Sequence, residues 1–226
     1  MVAPLSNSST GPAPPRIHAD ELRRILRDIE PAVCLTLPRI LRRVIRQRPR
    51  WRGIGLRIPH RKCCILPRDE LLRLVAEDEL DVPSHALPEV VILLPQPTAD
   101  YLAHASAAQC LVKYWRLLFH AQIHCCFEQL AQRGQLNEAI ARNAVHELSD
   151  RAFREASSVL KMEAMLLPPQ DEVSIWIEFA AVYCELRYFA PDLLASYFPA
   201  IDDFARVDEL IERFVQIGRA SCRERV

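Results

Sequence analysis

Two histidines four residues apart are the strongest candidates for chemistry in this chain. His120 and His124 lie in the segment CLVKYWRLLFHAQIHCCFEQL, from Cys110 to Leu130. In an α-helix this spacing places both imidazoles on one face. Pairs of this kind present two nitrogens to zinc or iron, so the spacing predicts half of a metal site.

The polar residues of this segment share one side of the predicted helix. Together with Gln109, which precedes the segment, they lie within an arc of roughly 120°, and nearly all other residues are apolar. The residues of the arc are Gln109, Lys113, Arg116, His120, His124 and Glu128. A helix that is apolar over the remaining surface is expected to be enclosed on three sides and to form the centre of the fold. Trp115 and Phe119 are accordingly predicted to be core residues.

A second predicted helix, from Asp171 to Phe189, carries a stripe of acidic and hydroxyl groups. Asp171, Ser174, Glu178 and Glu185 fall within an arc of roughly 60° on this helix. If both stripes are interior they must meet each other, a metal ion or water, because an uncompensated buried charge is costly. The sequence therefore predicts a zinc or iron site. Its predicted ligands are His120, His124 and Glu178, with Glu185 or Glu128 as the fourth or as a supporting group.

Two other interpretations of the same stripes remain open. Both stripes can face solvent, as on any amphipathic helix, or they can form a salt-bridge network inside the bundle. Lys113 and Arg116 lie on the histidine arc and count against a metal ion, because cations repel it. They are better suited to an anionic ligand.

Several common catalytic and nucleotide-binding motifs are missing from the sequence. With five glycines in 226 residues, it contains neither of the glycine-rich phosphate loops. The segment HELSD at 146–150 begins like a zinc-protease motif but lacks its second histidine, and the GxSxG nucleophile motif is absent. The Glu-x-x-His pairs of di-iron bundles are absent from the two striped helices. We therefore do not predict a protease, a serine hydrolase or a di-iron protein.

A basic arm forms the second candidate site. Residues 39–62 contain ten Arg or Lys and no acid, and the chain is basic up to Lys62 and acidic after it. This density favours an anionic partner, either an acidic protein or nucleic acid. The alternatives are a membrane surface, docking onto the acidic part of the same chain, and simple solvation. The predicted anion-binding residues are Arg42, Arg43, Arg46, Arg50 and Arg52.

The cysteines and the hydropathy pattern indicate a cytoplasmic protein. The sequence has no CxxC pair, no signal-peptide pattern and no uncharged apolar run of 18 residues. Adjacent cysteines such as Cys125 and Cys126 cannot pair without strain. We expect reduced, buried thiols that pack as small hydrophobic groups, and no transmembrane segment.

The predicted fold is mainly α, with a C-terminal helical bundle preceded by a small mixed α/β segment of two or three short strands. Predicted strands cover Ile54–Ile58, Cys63–Leu66 and Val90–Leu94, and predicted helices include 69–79 and a single helix from Asn137 to about Met162. The predicted divisions are a disordered lead (1–16), the basic arm plus mixed segment (17–98) and the bundle (99–216). The last ten residues, IGRASCRERV, read as one frame of a common short-read sequencing adapter.

Two functions follow from these residues. The first is a non-catalytic binding or interaction protein whose basic arm engages an anionic partner. The second is a metal-binding protein or metal-dependent enzyme with its His/Glu site between two bundle helices.

Overall fold

The computed structural model describes residues 15–47, 63–166 and 170–223, with side chains through Val215. The helices are α1 (Ala19–Ile29), α2 (Pro38–Gln47), α3 (Arg68–Leu74), α4 (Ala99–His104), α5 (Ala107–Gln132), α6 (Glu138–Leu148), α7 (Asp150–Met162), α8 (Glu172–Phe189), α9 (Leu194–Tyr197) and α10 (Phe204–Arg223). The strands are β1 (Val33–Thr36), β2 (Cys64–Pro67) and β3 (Val90–Pro95). The fold is therefore mainly helical, with a small mixed sheet before the bundle, as predicted.

The sheet has the strand order β1-β3-β2. The central strand β3 runs parallel to β1, with Val33 opposite Ile92, and antiparallel to β2, with Cys64 opposite Leu93. Both faces of β3 are covered, because Leu93 packs with one hydrophobic cluster and Ile92 with another. A strand buried on both faces has no polar side, which explains the uninterrupted apolar run of Val90–Pro95.

Helices cover the sheet on both faces and then continue into the bundle. Residues of α2 and α3 pack on one face of the sheet, and residues of α1 and the first half of α5 pack on the other. The second half of α5 joins α6, α7, α8 and α10 in the largest core. Helix α5 thus belongs to both halves of the molecule and places its own polar residues at the junction.

In the N-terminal half, one strand was missed from the sequence and one helix end was placed too late, and two further predictions lie outside the described residues. The strand β1 was not predicted, because its four residues are all buried and too short for a periodic pattern. The predicted strand at Ile54–Ile58 and the predicted disordered lead up to residue 14 lie outside the described residues. Helix α3 ends at Leu74 instead of Glu79, because Val75 takes an extended backbone and is buried against the core under the sheet.

The predicted single helix from Asn137 to Met162 is wrong, since the chain forms two helices there. Ser149 separates α6 from α7 with a backbone φ of 104°, a value outside any helix and rare for a residue with a side chain. Its hydroxyl makes no capping hydrogen bond to α7. By contrast, Gly134 follows the end of α5 with a left-handed φ of 72°, which is typical of a glycine just past a helix C-terminus.

Ser149 and Gly134 both have a positive φ. We therefore expect glycine to stabilise the protein at position 149, and a residue with a side chain to destabilise it at position 134. Ser149→Gly relieves an unfavourable backbone conformation without removing a cap, and we expect it to raise the free energy of unfolding by about 0.5–1 kcal/mol. Gly134→Ala imposes a left-handed backbone on alanine in otherwise open space, so we expect a loss of about 1 kcal/mol. Urea unfolding of both variants checks this, and a loss of stability in Ser149→Gly would contradict it.

None of the described cysteines forms a disulfide, and most of them are buried. Cys34, Cys63, Cys64 and Cys110 are buried, and Cys125, Cys126 and Cys184 are partly exposed. Burial raises the pKa of the Cys125 and Cys184 thiols to about 12, so very little reactive thiolate forms near neutral pH. These thiols behave as apolar packing groups. Within the described ranges, none of the helices combines the length and the apolar character that crossing a bilayer requires.

Candidate metal centre

The two striped helices, α5 and α8, pack directly against each other. Each begins with a side-chain cap: Ser106 accepts a hydrogen bond from the Gln109 amide at 3.2 Å, and Asp171 accepts one from the Ser174 amide at 2.8 Å. These caps satisfy amide groups that have no partner inside the helix. Gln109 and Asp171, at the N-terminal ends of the two polar stripes, therefore take part in helix capping. His120 and His124 of α5, further along, face Glu178 of α8.

The polar residues at the centre of this contact are buried. His124 is 3% exposed and Glu178 is 2% exposed, so a solvated face does not describe either of them. Glu178 is placed there by α8, whose apolar residues Trp176 and Phe179 are fully buried on either side of it in sequence. Because α8 is buried on nearly every side, the carboxylate of Glu178 lies in the core.

Helix α5 is less enclosed than the sequence predicts. Trp115 is 41% exposed and Val112 is 46% exposed, so the prediction that Trp115 is a core residue is wrong. Phe119 is partly buried and stacks on Tyr188 of α8, with ring centroids 5.5 Å apart. Trp115, Phe119 and Tyr188 form an aromatic surface that is largely exposed. The hydrophobic pattern of the sequence does not distinguish such a surface from a buried core.

Three potential ligand atoms converge between α5 and α8. The Nε2 atoms of His120 and His124 are 3.2 Å apart. The carboxylate of Glu178 lies 3.2 Å from His124 Nε2 through Oε2 and 3.5 Å from His120 Nε2 through Oε1. One ligand atom from each residue falls within 4.8 Å of the other two.

This spacing matches the edge lengths of a metal coordination polyhedron. Tetrahedral zinc with nitrogen ligands at about 2.0–2.1 Å separates two such nitrogens by about 3.3 Å. Without a metal ion, each Nε2 carries at most one proton, so at most two of the three contacts among these residues can be hydrogen bonds. Two imidazoles and one carboxylate are also a donor set used for catalytic zinc and for non-haem iron(II).

Glu185 holds the other nitrogen of His120. Its Oε2 lies 3.1 Å from His120 Nδ1, and its Oε1 accepts hydrogen bonds from Arg116 Nε at 3.0 Å and Nη2 at 2.7 Å. A carboxylate on Nδ1 fixes the ring so that Nε2 points towards His124 and Glu178, an arrangement typical of metal-bound histidines. The sequence predicted Glu185 as the fourth ligand or as a supporting group. The structure places it behind the ring, outside the group of three converging atoms.

The electrostatics of the cluster are internally compensated. Burial disfavours the charged form of His120, but hydrogen bonds and charges from Glu178 and Glu185 outweigh it, so the pKa of His120 is raised. Burial would raise the pKa of Glu185, yet His120 and Arg116 together lower it. Metal ligation requires a deprotonated nitrogen, so binding of a metal ion at His120 Nε2 and protonation of that atom exclude each other.

A cavity of about 250 Å³ adjoins the cluster. His120, Glu178, Arg116 and Glu185 form its polar side. Its other lining residues come from several distant parts of the chain: Cys63, Leu117, Met165, Val182, Leu186 and Tyr197. Sequence reasoning missed Cys63, Met165 and Tyr197, because no periodicity or spacing relates them to the two helices. A metal ion held by three side chains here would have an open coordination position beside this space.

The cations on the histidine arc do not face the three ligand atoms. Arg116 is paired with Glu185, and Lys113 Nζ lies over the Tyr101 ring, 3.6 Å from its centroid. Arg116 therefore does not oppose a metal ion, because Glu185 already neutralises its charge.

Three of the predicted anion-binding residues, Arg42, Arg43 and Arg46, lie elsewhere, on α2. Arg42 is exposed and donates from Nε to the Pro38 carbonyl at 3.2 Å, and Arg46 is exposed as well. Arg43 forms an ion pair with Glu79 of the same chain. Arg50 and Arg52 lie outside the described residues.

Comparison with protein-family models, curated proteins and solved structures finds no significant match to this chain. The geometry of the site is therefore the only guide to its function.

Proposed function

We propose that this protein binds a divalent transition metal ion, zinc or iron(II), through His120, His124 and Glu178. The observation that supports the proposal is the approach of the two Nε2 atoms, 3.2 Å apart, to the Glu178 carboxylate, whose two oxygens lie 3.2 Å and 3.5 Å from them between α5 and α8. The adjoining cavity leaves room for a further ligand of the metal. Sites with three protein ligands and an open position are typical of catalytic rather than structural metal ions.

Metal analysis of purified, tag-free protein tests the proposal. We expect about one zinc or iron per chain, and a cobalt(II) derivative with the visible absorption of a low-symmetry site. His124→Gln and Glu178→Gln each remove a ligand and should weaken metal binding at least about a hundredfold, since losing a group that only orients a ligand already costs about 10–100-fold. Titration calorimetry of the metal-free protein measures this.

A matched histidine substitution provides the control. His146 lies on α6 with 85% of its side chain exposed, so His146→Gln should bind metal like the wild type. Equal binding by His124→Gln and His146→Gln, or no binding by the wild type, would rule out the metal centre. In that outcome the cluster is a hydrogen-bonded ion-pair network that holds α5 to α8.

An anionic partner at the basic arm is the second candidate function. The exposed face of α2 supports it, because Arg39, Arg42 and Arg46 all lie at the surface there. Such a row of guanidiniums is suited to the phosphates of nucleic acid or to an acidic protein. The free thiols fit a reducing compartment such as the cytoplasm for either function.

Salt-dependent retention on heparin tests the arm. Replacing Arg39, Arg42 and Arg46 together by Gln should lower the salt dependence of binding by about one unit of slope per arginine. The same exchange at three exposed arginines of the C-terminal half, Arg151, Arg154 and Arg206, is the matched control. Equal retention of the two triple variants would contradict a role for the arm.

A further inference from the structure

Two cavities meet at the Arg116–Glu185 ion pair. The inner cavity, of about 250 Å³, adjoins His120 and Glu178. The outer one, of about 520 Å³, has Lys113 and Gln109 in its wall. Arg116, Leu117 and Glu185 line both. The ion pair therefore stands between an outer depression that carries a lysine and the space beside the proposed metal.

The charges around the inner cavity favour an anion once a metal is bound. A divalent ion and Arg116 together carry three positive charges, against two negative charges from Glu178 and Glu185, with both imidazoles neutral. One positive charge then remains uncompensated in a largely buried site, which is unfavourable unless a counter-charge enters. A singly charged anion at the open coordination position supplies it.

The remaining lining of the inner cavity is largely apolar. Leu117, Met165, Val182, Leu186 and Tyr197 contribute to it. A phosphate would set additional polar oxygens and a second charge against these side chains, which is costly. A carboxylate with a short hydrocarbon chain matches both walls: one oxygen reaches the metal, the other reaches Arg116, and the chain lies on the apolar side.

We propose that the ligand of this cavity is a short-chain apolar monocarboxylate, bound between the metal and the Arg116 guanidinium. The proposal rests on the metal centre proposed above. Arg116 contacts Glu185 through Nε and Nη2, and Nη1 is the guanidinium nitrogen outside that pair. It is available in this geometry to meet the second carboxylate oxygen, in the manner of arginine–carboxylate recognition.

Titration of the cobalt(II)-loaded protein with acetate, butyrate and hexanoate tests the proposal through the visible absorption of the metal. We expect saturable spectral shifts, with the Kd falling about three- to fourfold for each added methylene that reaches the apolar wall. Butyramide has the same chain without the charge and should leave the spectrum unchanged at the same concentrations. Inorganic phosphate should bind more weakly than butyrate.

Arginine variants separate recognition by Arg116 from a general charge effect. Arg116→Gln should weaken butyrate binding at least about tenfold while the cobalt spectrum of the ligand-free protein persists. Arg142→Gln removes an exposed arginine that pairs with Glu172 away from this cavity, and butyrate should bind it as it binds the wild type.

The outcomes distinguish the two proposals. A protein that takes up no cobalt overturns the metal centre and this inference together. A protein that takes up cobalt, but whose spectrum does not respond to carboxylates, overturns only this inference. So does a response that is independent of chain length or equally strong with phosphate.

Discussion

Trp176→Ala is expected to lower the free energy of unfolding by about 3–5 kcal/mol, the usual range for deleting a large aromatic residue from a core. Trp176 is fully buried in α8. Its ring contacts those of Phe153, Phe179 and Phe214, with centroids 5.6–6.1 Å apart. Alanine would leave a cavity at the point where α7, α8 and α10 meet, and urea unfolding monitored by circular dichroism measures the loss.

Trp115→Ala is the matched control, because it deletes the same atoms from a residue that is 41% exposed. We expect it to cost only about 1–2 kcal/mol, since the exposed site leaves no closed cavity. Equal losses in the two variants would mean that the burial of Trp176 is overstated.

Trp176→Phe separates packing from hydrogen bonding. The buried indole nitrogen has no acceptor within the described part of the chain, so phenylalanine should cost less than about 1.5 kcal/mol.

Glu178→Leu is expected to have two large effects, one on stability and one on metal binding. Removing the carboxylate takes away the buried partner of His124 and one of the two carboxylates beside His120, and breaking a buried pair in this way costs about 3–5 kcal/mol. The wild type should gain about 2.7 kcal/mol when metal is present at a hundred times its Kd, and the variant should gain nothing. Unfolding with and without metal gives both quantities.

Glu172→Leu is the control for that experiment. Glu172 begins the same helix and pairs with the exposed Arg142, so its loss should cost less than about 1 kcal/mol. Metal should still stabilise this control as it stabilises the wild type. A Glu178→Leu variant that is as stable as Glu172→Leu and still responds to metal would contradict the proposed site.

The contact between α5 and α8 could be anticipated because it depends on helical periodicity. The four-residue spacing of His120 and His124 places both rings on one face, and the acidic stripe of α8 is the complementary partner for a buried cationic stripe. The distances between ring nitrogens and carboxylate oxygens could not be derived this way. They depend on the rotation of each helix and on the position of Glu185 behind His120.

Other features had no signal in the sequence. The strand β1 is recognised only from its pairing with β3, which is more than fifty residues away. Ser149 breaks a helix although serine is common inside helical patterns. Trp115 is 41% exposed in the assembled bundle, a property that no window of sequence contains.

The long helix α5 makes the two halves of the molecule energetically inseparable. Its first turns pack beneath the sheet through Tyr114 and Leu118, and its last turns pack in the bundle through Phe127 and Leu130. The Tyr114 hydroxyl also donates to the Pro95 carbonyl at 2.6 Å. Unfolding of either core would expose apolar residues of α5 to water, so heating should produce one cooperative unfolding transition. A fragment starting near residue 99 should aggregate because it would present half of that helix to water.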